Sequence, residues 1–284
     1  MKVLVHGGAG SEPEEPVPRQ AVLERAATTG AKADDPLESV RKAVDVLEAD
    51  DRFNAGTGSA VQSDGVVRTD AGVMTSDGTV GAACSMPGVE RACEVARVVA
   101  TETPHVLVAG ENAVELARTY DIPTDQDLWS EKTDSRWADL SPPETDNRRA
   151  HLEWVREQFG GTDTVGAVAT DGQHLAVATS TGGRWCALAG RVGDVPQIGA
   201  GFYASETAAA SATGAGEAIA RYGLARKVVE AIEDGDNPDT ATDRAIRGFG
   251  AETDESAGII AIDTSGRTGS SFNSEGMQTA AADR

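Results

Sequence analysis

Two uninterrupted apolar runs, "TVGAVAT" at 164–170 and "LAVATST" at 175–181, are joined only by "DGQH". So short a link, opening on Asp-Gly, makes the pair a β-hairpin. Neither run alternates polar with apolar residues, so both faces of the hairpin must be covered, and a sheet covered on both sides belongs to a layered protein. Hydrophobic residues are 39% of the chain but aromatics only 4%, and there are 32 Gly. The core must therefore be Ala, Val, Ile and Leu, with many close backbone approaches.

The 284 residues leave room for one large domain or two ordinary ones. "KVLV" reads as a strand running into a Gly-rich turn, "HGGAG", and the prolines of "SEPEEPVP" delay the first helix. Amphipathic spacing predicts helices over about 18–30 and 36–49, and Asp-Gly punctuation after residue 60 predicts an antiparallel meander. A helix over 88–101, a strand "HVLVA" and a helix over 110–119 follow. Residues 120 to about 162 read as a polar connector around "SPPETDNRR", helical in period only near "AHLEWVREQF". Beyond the hairpin come helices in "TGAGEAIARYGLARKVVEAIEDG" and "DTATDRAIRGFG", then strands in "AGIIAIDT" and "GSSFNSEGM". A second domain would have to begin in mid-strand, so the expectation is one domain, 1–284, split by a long loop.

The net charge of −21 and a pI near 4.5 argue against nucleic acid, whose phosphates require clustered Lys and Arg. Five Lys against 20 Arg, with 46 acidic residues, suggest a solvated acidic surface suited to a salt-rich host. Cys84, Cys93 and Cys186 show neither disulfide nor zinc spacing, which points to a reducing cytoplasm. No signal peptide and no membrane-length apolar run stand out. "GGAGSEP" fails the dinucleotide fingerprint, because Pro13 stands where the third Gly belongs, so a nucleotide-binding role is disfavoured. His6, His105, His151 and His174 offer neither metal nor triad spacing.

Thr164 opens another route to a nucleophile. A Thr hydroxyl can be activated by its own α-amino group once the preceding peptide bond is gone. That amine has an ordinary pKa of about 7.7 to 8.0, so it can take the proton without a His. Asp163 before it and a connector able to move away fit such a scheme. On spacing alone, a Thr opening a strand is also simply a β-branched residue where strands favour one.

The sequence resembles the plant-type asparaginases, or isoaspartyl peptidases, of the N-terminal nucleophile hydrolases. The resemblance rests on "HGGAG", "FNAGTGS" (53–59), "DTVGAVATDG" (163–172), "ATSTGG" (178–183), "GRVGD" (190–194), "GAGFYA" (199–204), "ATGAGE" (212–217) and "FNSEGM" (272–277), in family order over nearly the whole chain. It implies a four-layer αββα sandwich of the α+β class, two antiparallel sheets between helical layers. It further implies cleavage between Asp163 and Thr164 into chains 1–163, with a flexible tail over about 120–163, and 164–284. Two such cleaved protomers would form a homodimer.

By the same resemblance, Thr164 is the nucleophile and Thr181 tunes its hydroxyl. Arg191 and Asp194 grip the α-carboxylate and α-ammonium of the substrate, an assignment that makes charge sense for a zwitterion. The hydroxyl of Thr213 and the backbone N–H of Gly214 form an oxyanion hole. Asn54 supports the site, and Gly183 admits substrate close to the backbone. The bland alternatives are a surface ion pair for Arg191 and Asp194, a helix cap for Thr213 and plain turns for the two glycines. "LEADDRFNAGT" resembles a segment that holds Na⁺ through backbone carbonyls, here those of Leu47, Glu48, Asp50, Phe53, Ala55 and Thr57; no other cofactor is implied. The implied reaction is hydrolysis of L-asparagine or β-aspartyl peptides. The alternatives are a glycosylasparaginase of the same family and a homologue that binds amino acids without cleaving. One departure stands out: "RWCALA" at 184–189 replaces a segment that in relatives commonly carries Asn-Lys, which bears on the shape of the pocket.

Overall fold

Strand pairing sorts the chain into two stacked sheets. The computed structural model describes residues 1–143, 148–161 and 163–284. Its strands are β1 (Lys2–Gly10), β2 (Arg68–Thr75), β3 (Val80–Pro87), β4 (Leu107–Ala109), β5 (Val165–Thr170), β6 (Leu175–Thr181), β7 (Phe202–Ala204), β8 (Ala208–Gly214), β9 (Ala257–Asp263), β10 (Thr268–Phe272) and β11 (Gly276–Asp283). Among the described residues, one sheet runs β11-β1-β5-β6-β2-β3-β4 and the other β10-β9-β8-β7. Leu4, Val168, Val177, Phe202, Ile260 and Ile262 form the dry layer between them. Phe202 is fully buried there, and burying such a side chain stabilises the stack by about 1.5–3 kcal/mol.

Helices cover the outer faces. On the larger sheet lie α1 (Pro16–Ala31), α2 (Pro36–Glu48) and α3 (Ala92–Glu102), packing Leu23, Val40, Val44, Leu47 and Val95 against Val3, Val5, Val73 and Ala167. Proline at the start of α2 and an Asp35 side chain accepting from Glu38 N at 3.0 Å set the beginning of that helix. After α4 (Glu111–Thr119), α5 (Glu131–Ala138), α6 (Arg148–Gln158) and the short α7 (Gly216–Tyr222), helices α8 (Leu224–Glu233) and α9 (Pro238–Thr253) cover the smaller sheet through Val228, Val229, Ile246 and Phe249. The result is the four-layer α+β sandwich. Among the described residues no helix is long and apolar enough to cross a membrane.

The structure differs from the sequence reading in several places, among them β7 and β8, strands in a stretch to which the sequence reading assigns no strand. The sheets are not wholly antiparallel, because β4 pairs with β3 in parallel. "HGGAG" is not a turn; it continues β1, with a register shift between His6 and Ala9. The helix expected from "TGAGEAIARYGLARKVVEAIEDG" is two helices, broken at Gly223, whose φ of 70° is a left-handed conformation that glycine adopts without strain. The connector carries α5, started by a Ser130–Thr133 capping box, besides α6, which lies where "AHLEWVREQF" gave the expected helical period. Trp129, Trp137, Leu140 and Trp154 from this stretch pack on Val61, Val67, Leu128, Trp185 and Cys186. Parts of the connector reading, 144–147 and 162, lie outside the described residues.

Candidate active site

Thr164 immediately precedes β5, and β5 and β6 run antiparallel with Val165 opposite Ser180. The pairing therefore sets the start of one strand beside the end of the other, where Thr181 stands. β8 packs on both strands from the second sheet and ends at Gly214 on the same edge. Three strand ends thus meet, and Thr164, Thr181, Gly183, Arg191, Asp194 and Gly214 line one small cavity.

The Asp163–Thr164 peptide is held there by its carbonyl. The Asn54 Nδ2 amide donates to Asp163 O at 2.8 Å, and the Thr181 hydroxyl donates to the same oxygen at 3.1 Å. Asn54 is itself fixed, donating to Gly183 O at 2.6 Å and accepting from Ala60 N at 2.8 Å. Gly183 N donates to the Thr181 hydroxyl at 3.1 Å, which orients that hydroxyl toward Asp163. Two donors on one carbonyl oxygen polarise it and would stabilise negative charge developing on it.

Across the cavity, Arg191 and Asp194 are not paired with each other. Arg191 Nε binds Glu217 Oε1 at 2.7 Å, while Arg191 Nη2 and Asp194 Oδ2 are buried and find no partner among the described residues. Unsatisfied buried polar atoms are costly, so the two side chains present one open guanidinium nitrogen and one open carboxyl oxygen, and are not an ion pair with each other. Gly216 makes room for them: a Cβ there would lie 2.6 Å from Asp194 Oδ1 and 2.8 Å from Arg191 Nη2. Burial pushes the Asp194 carboxyl up to about 6, against its own backbone N–H and the Arg191 charge. Glu217 is opposed by burial, yet the Arg191 hydrogen bond holds it down at about 2.

The other expected residues fall as follows. Thr213 is fully buried off the cavity wall, its hydroxyl accepting from Ala9 N at 3.3 Å, and it does not cap α7. Gly183 has φ 80°, and a Cβ there would meet Arg191 Nη1 at 3.9 Å. The loop from Leu47 to Thr57 folds back on itself, with Thr57 N donating to Glu48 O at 2.9 Å and Phe53 N to Asp50 O at 3.1 Å. Each of those two carbonyls keeps a second lone pair that a further partner could use. Among the described residues no side-chain cluster is placed to hold a metal ion.

Several buried groups near the site were not singled out from sequence. Arg19 donates to Gly7 O, lies 4.8 Å over the Phe53 ring and sets a positive charge near Asp163. Burial raises Asp163 to about 6 against that charge. A lone Arg on the buried stripe of α1, in line with Val22, Leu23 and Ala26, was the available signal. Glu48, expected only for its carbonyl, buries its side chain, accepts from Ser180 Oγ at 2.6 Å and Cys93 N at 3.0 Å, and is pushed up to about 8 by burial. Asp70, opposite Thr181 on β2, accepts from Ser85 N and is raised to about 7 by burial. His6, lowered to about 3 by burial, is a neutral core residue bonded to Ser211 Oγ at 2.8 Å. A larger cleft of about 170 Å³ shares Asn54, Asp163 and Gly183 with the site.

A family model described as asparaginase matches residues 1–284. The chain is 39% identical over 304 residues to a plant-type L-asparaginase of Pyrococcus furiosus and 37% identical over 297 residues to one of Pyrococcus abyssi, each alignment covering 99% of this chain and 95% of the relative. It is 35% identical over 292 residues to an isoaspartyl peptidase/L-asparaginase of Danio rerio, covering 99% of this chain and 91% of that protein.

Proposed function

The chain belongs to the asparaginase family of hydrolases, and from that premise we propose that it divides itself between Asp163 and Thr164 and then hydrolyses β-aspartyl amides through Thr164. The observation that carries this reading is the Asp163 carbonyl, bonded by Asn54 and Thr181 beside a buried Thr164. In the first stage the Thr164 oxygen adds to the Asp163 carbonyl carbon, and the charge forms on the oxygen those two donors hold. The C–N bond breaks, the nitrogen takes up the hydroxyl proton, and water hydrolyses the resulting ester. This leaves a free Asp163 carboxylate and a free Thr164 amine.

In the second stage that amine accepts the hydroxyl proton, and the oxygen attacks the β-carbonyl of the substrate. Arg191 Nη2 receives the substrate's α-carboxylate and Asp194 Oδ2 its α-ammonium, which satisfies the two atoms the free site leaves open. The N–H of Gly214, with Thr213 behind it, receives the oxyanion. Ammonia or a peptide amine departs, and water releases L-aspartate.

A monovalent cation on the carbonyls of Leu47, Glu48, Asp50, Phe53, Ala55 and Thr57 belongs to this reading; it would stiffen the loop that carries Asn54. The same reading has the protein act as a homodimer of cleaved protomers in the cytoplasm of a salt-loving host, on the strength of the family resemblance and the acidic, Arg-rich composition. Side-by-side assays on L-asparagine, a β-aspartyl dipeptide and glycosyl-asparagine test it. Turnover of the first two is expected, and turnover of glycosyl-asparagine alone would overturn it.

A further inference from the structure

The segment just before the scissile bond lies along residues 181–185. Thr181 holds Asp163 O. Gly160 N donates to Trp185 O at 3.2 Å, an isolated antiparallel bridge. Between them stands Arg184, which binds the same segment twice: its Nε donates to Gly161 O at 2.8 Å, and its guanidinium lies 4.1 Å over the Phe159 ring. The far end of the same guanidinium, Nη1, meets Glu217 Oε2 at 3.3 Å, and Glu217 in turn holds Arg191.

From this arrangement we infer that Arg184 is a positioning residue for self-cleavage, resting on the reading of the Asp163–Thr164 bond given above. Its planar fork makes a backbone hydrogen bond, an aromatic stack and an ion pair at once, which a Lys ammonium, a single point of charge, cannot do. A two-donor grip on the Asp163 carbonyl works only if the segment carrying it is laid in one place, because misplacement of reacting atoms by about an ångström costs on the order of a hundredfold in rate. Residues 159–161 are fixed by 184–185, just as Asp163 is fixed by 181. Arg184 also lines the cavity of Thr164 and Arg191.

Full-length chain made by cell-free translation and followed on denaturing gels tests the inference. Arg184→Ala is expected to lengthen the half-time of cleavage about tenfold, the worth of one charge-assisted hydrogen bond. Arg184→Lys should recover part of the rate, and tens of millimolar guanidinium should partly rescue the Ala variant, which a general folding defect would not allow. Phe159→Leu, which removes the ring beneath the guanidinium and leaves Arg184 in place, should slow cleavage by a smaller factor. If the unsubstituted chain divides and Arg184→Ala divides at the same rate, the inference is overturned while the proposed function stands. The same holds if the Ala variant is slow but neither Lys nor guanidinium restores any rate. If the unsubstituted chain never divides, both fall.

Discussion

The side-chain amide of Asn54 donates to the carbonyl oxygen of Asp163 at 2.8 Å, and the Thr181 hydroxyl completes a pair of donors on that one oxygen. In the proposed cleavage, a carbonyl so held would receive the charge that develops when the neighbouring hydroxyl attacks. Removing one donor of this kind typically costs about 2.7–4 kcal/mol of transition-state stabilisation. Asn54→Ala and Thr181→Val should each slow division of the chain by about 100-fold or more, read as intact chain on a denaturing gel against time. Equal half-times for variant and parent would remove these residues from the cleavage step.

How much of this could be read from the sequence depends on where the information sits. The β5–β6 hairpin announced itself because both runs are apolar throughout, and α2 because cap, proline and apolar spacing agree. β8 escaped notice because "AAASATG" has almost no β-branched residue; its strand state comes from pairing with β9 and stacking on β5 and β6. The candidate site residues came through family resemblance, and several of them line one cavity. Arg19, Glu217 and the side chain of Glu48 were not, since their importance lies in partners more than ten residues away in sequence that only the fold brings near.

Substrate grip should depend on pH through Asp194. Burial pushes its carboxyl up to about 6 in the free site, and it must be ionised to receive an α-ammonium, so KM for L-asparagine should rise as pH falls below about 6, separately from the fall in kcat as the Thr164 amine takes up a proton. Asp194→Asn should abolish that rise and raise KM by at least about 30-fold at neutral pH, since leaving the partner charge unpaired costs about 2–5 kcal/mol. A flat KM between pH 5 and 8 in the parent enzyme would contradict the assignment.

Glu48 should make the fold sensitive to alkali. Its folded pKa, about 8, lies above its ordinary value of 4.5, so the folded state holds a proton that the unfolded chain releases. The associated stability is complete below about 4.5 and is lost as pH rises through 8. Glu48→Gln stays neutral throughout and should unfold at a higher temperature than the parent at pH 9, with that advantage shrinking or reversing at pH 5. Parallel melting curves across this range would exclude the effect.

If the loop from Leu47 to Thr57 holds sodium, exchange for choline at constant ionic strength should lower the thermal midpoint. A ligand at 100 times its Kd stabilises by about 2.7 kcal/mol, or about 4–5 °C for a chain of this size. A midpoint indifferent to the cation would leave the loop as a self-bonded turn.

The most direct test of the whole account is the intact mass of purified, active protein, read together with that of Thr164→Ala. The account predicts chains of 163 and 121 residues, the second beginning at Thr164 with a free amine, and an undivided, inactive Thr164→Ala chain. Protein that hydrolyses L-asparagine while its Asp163–Thr164 bond remains whole would contradict it.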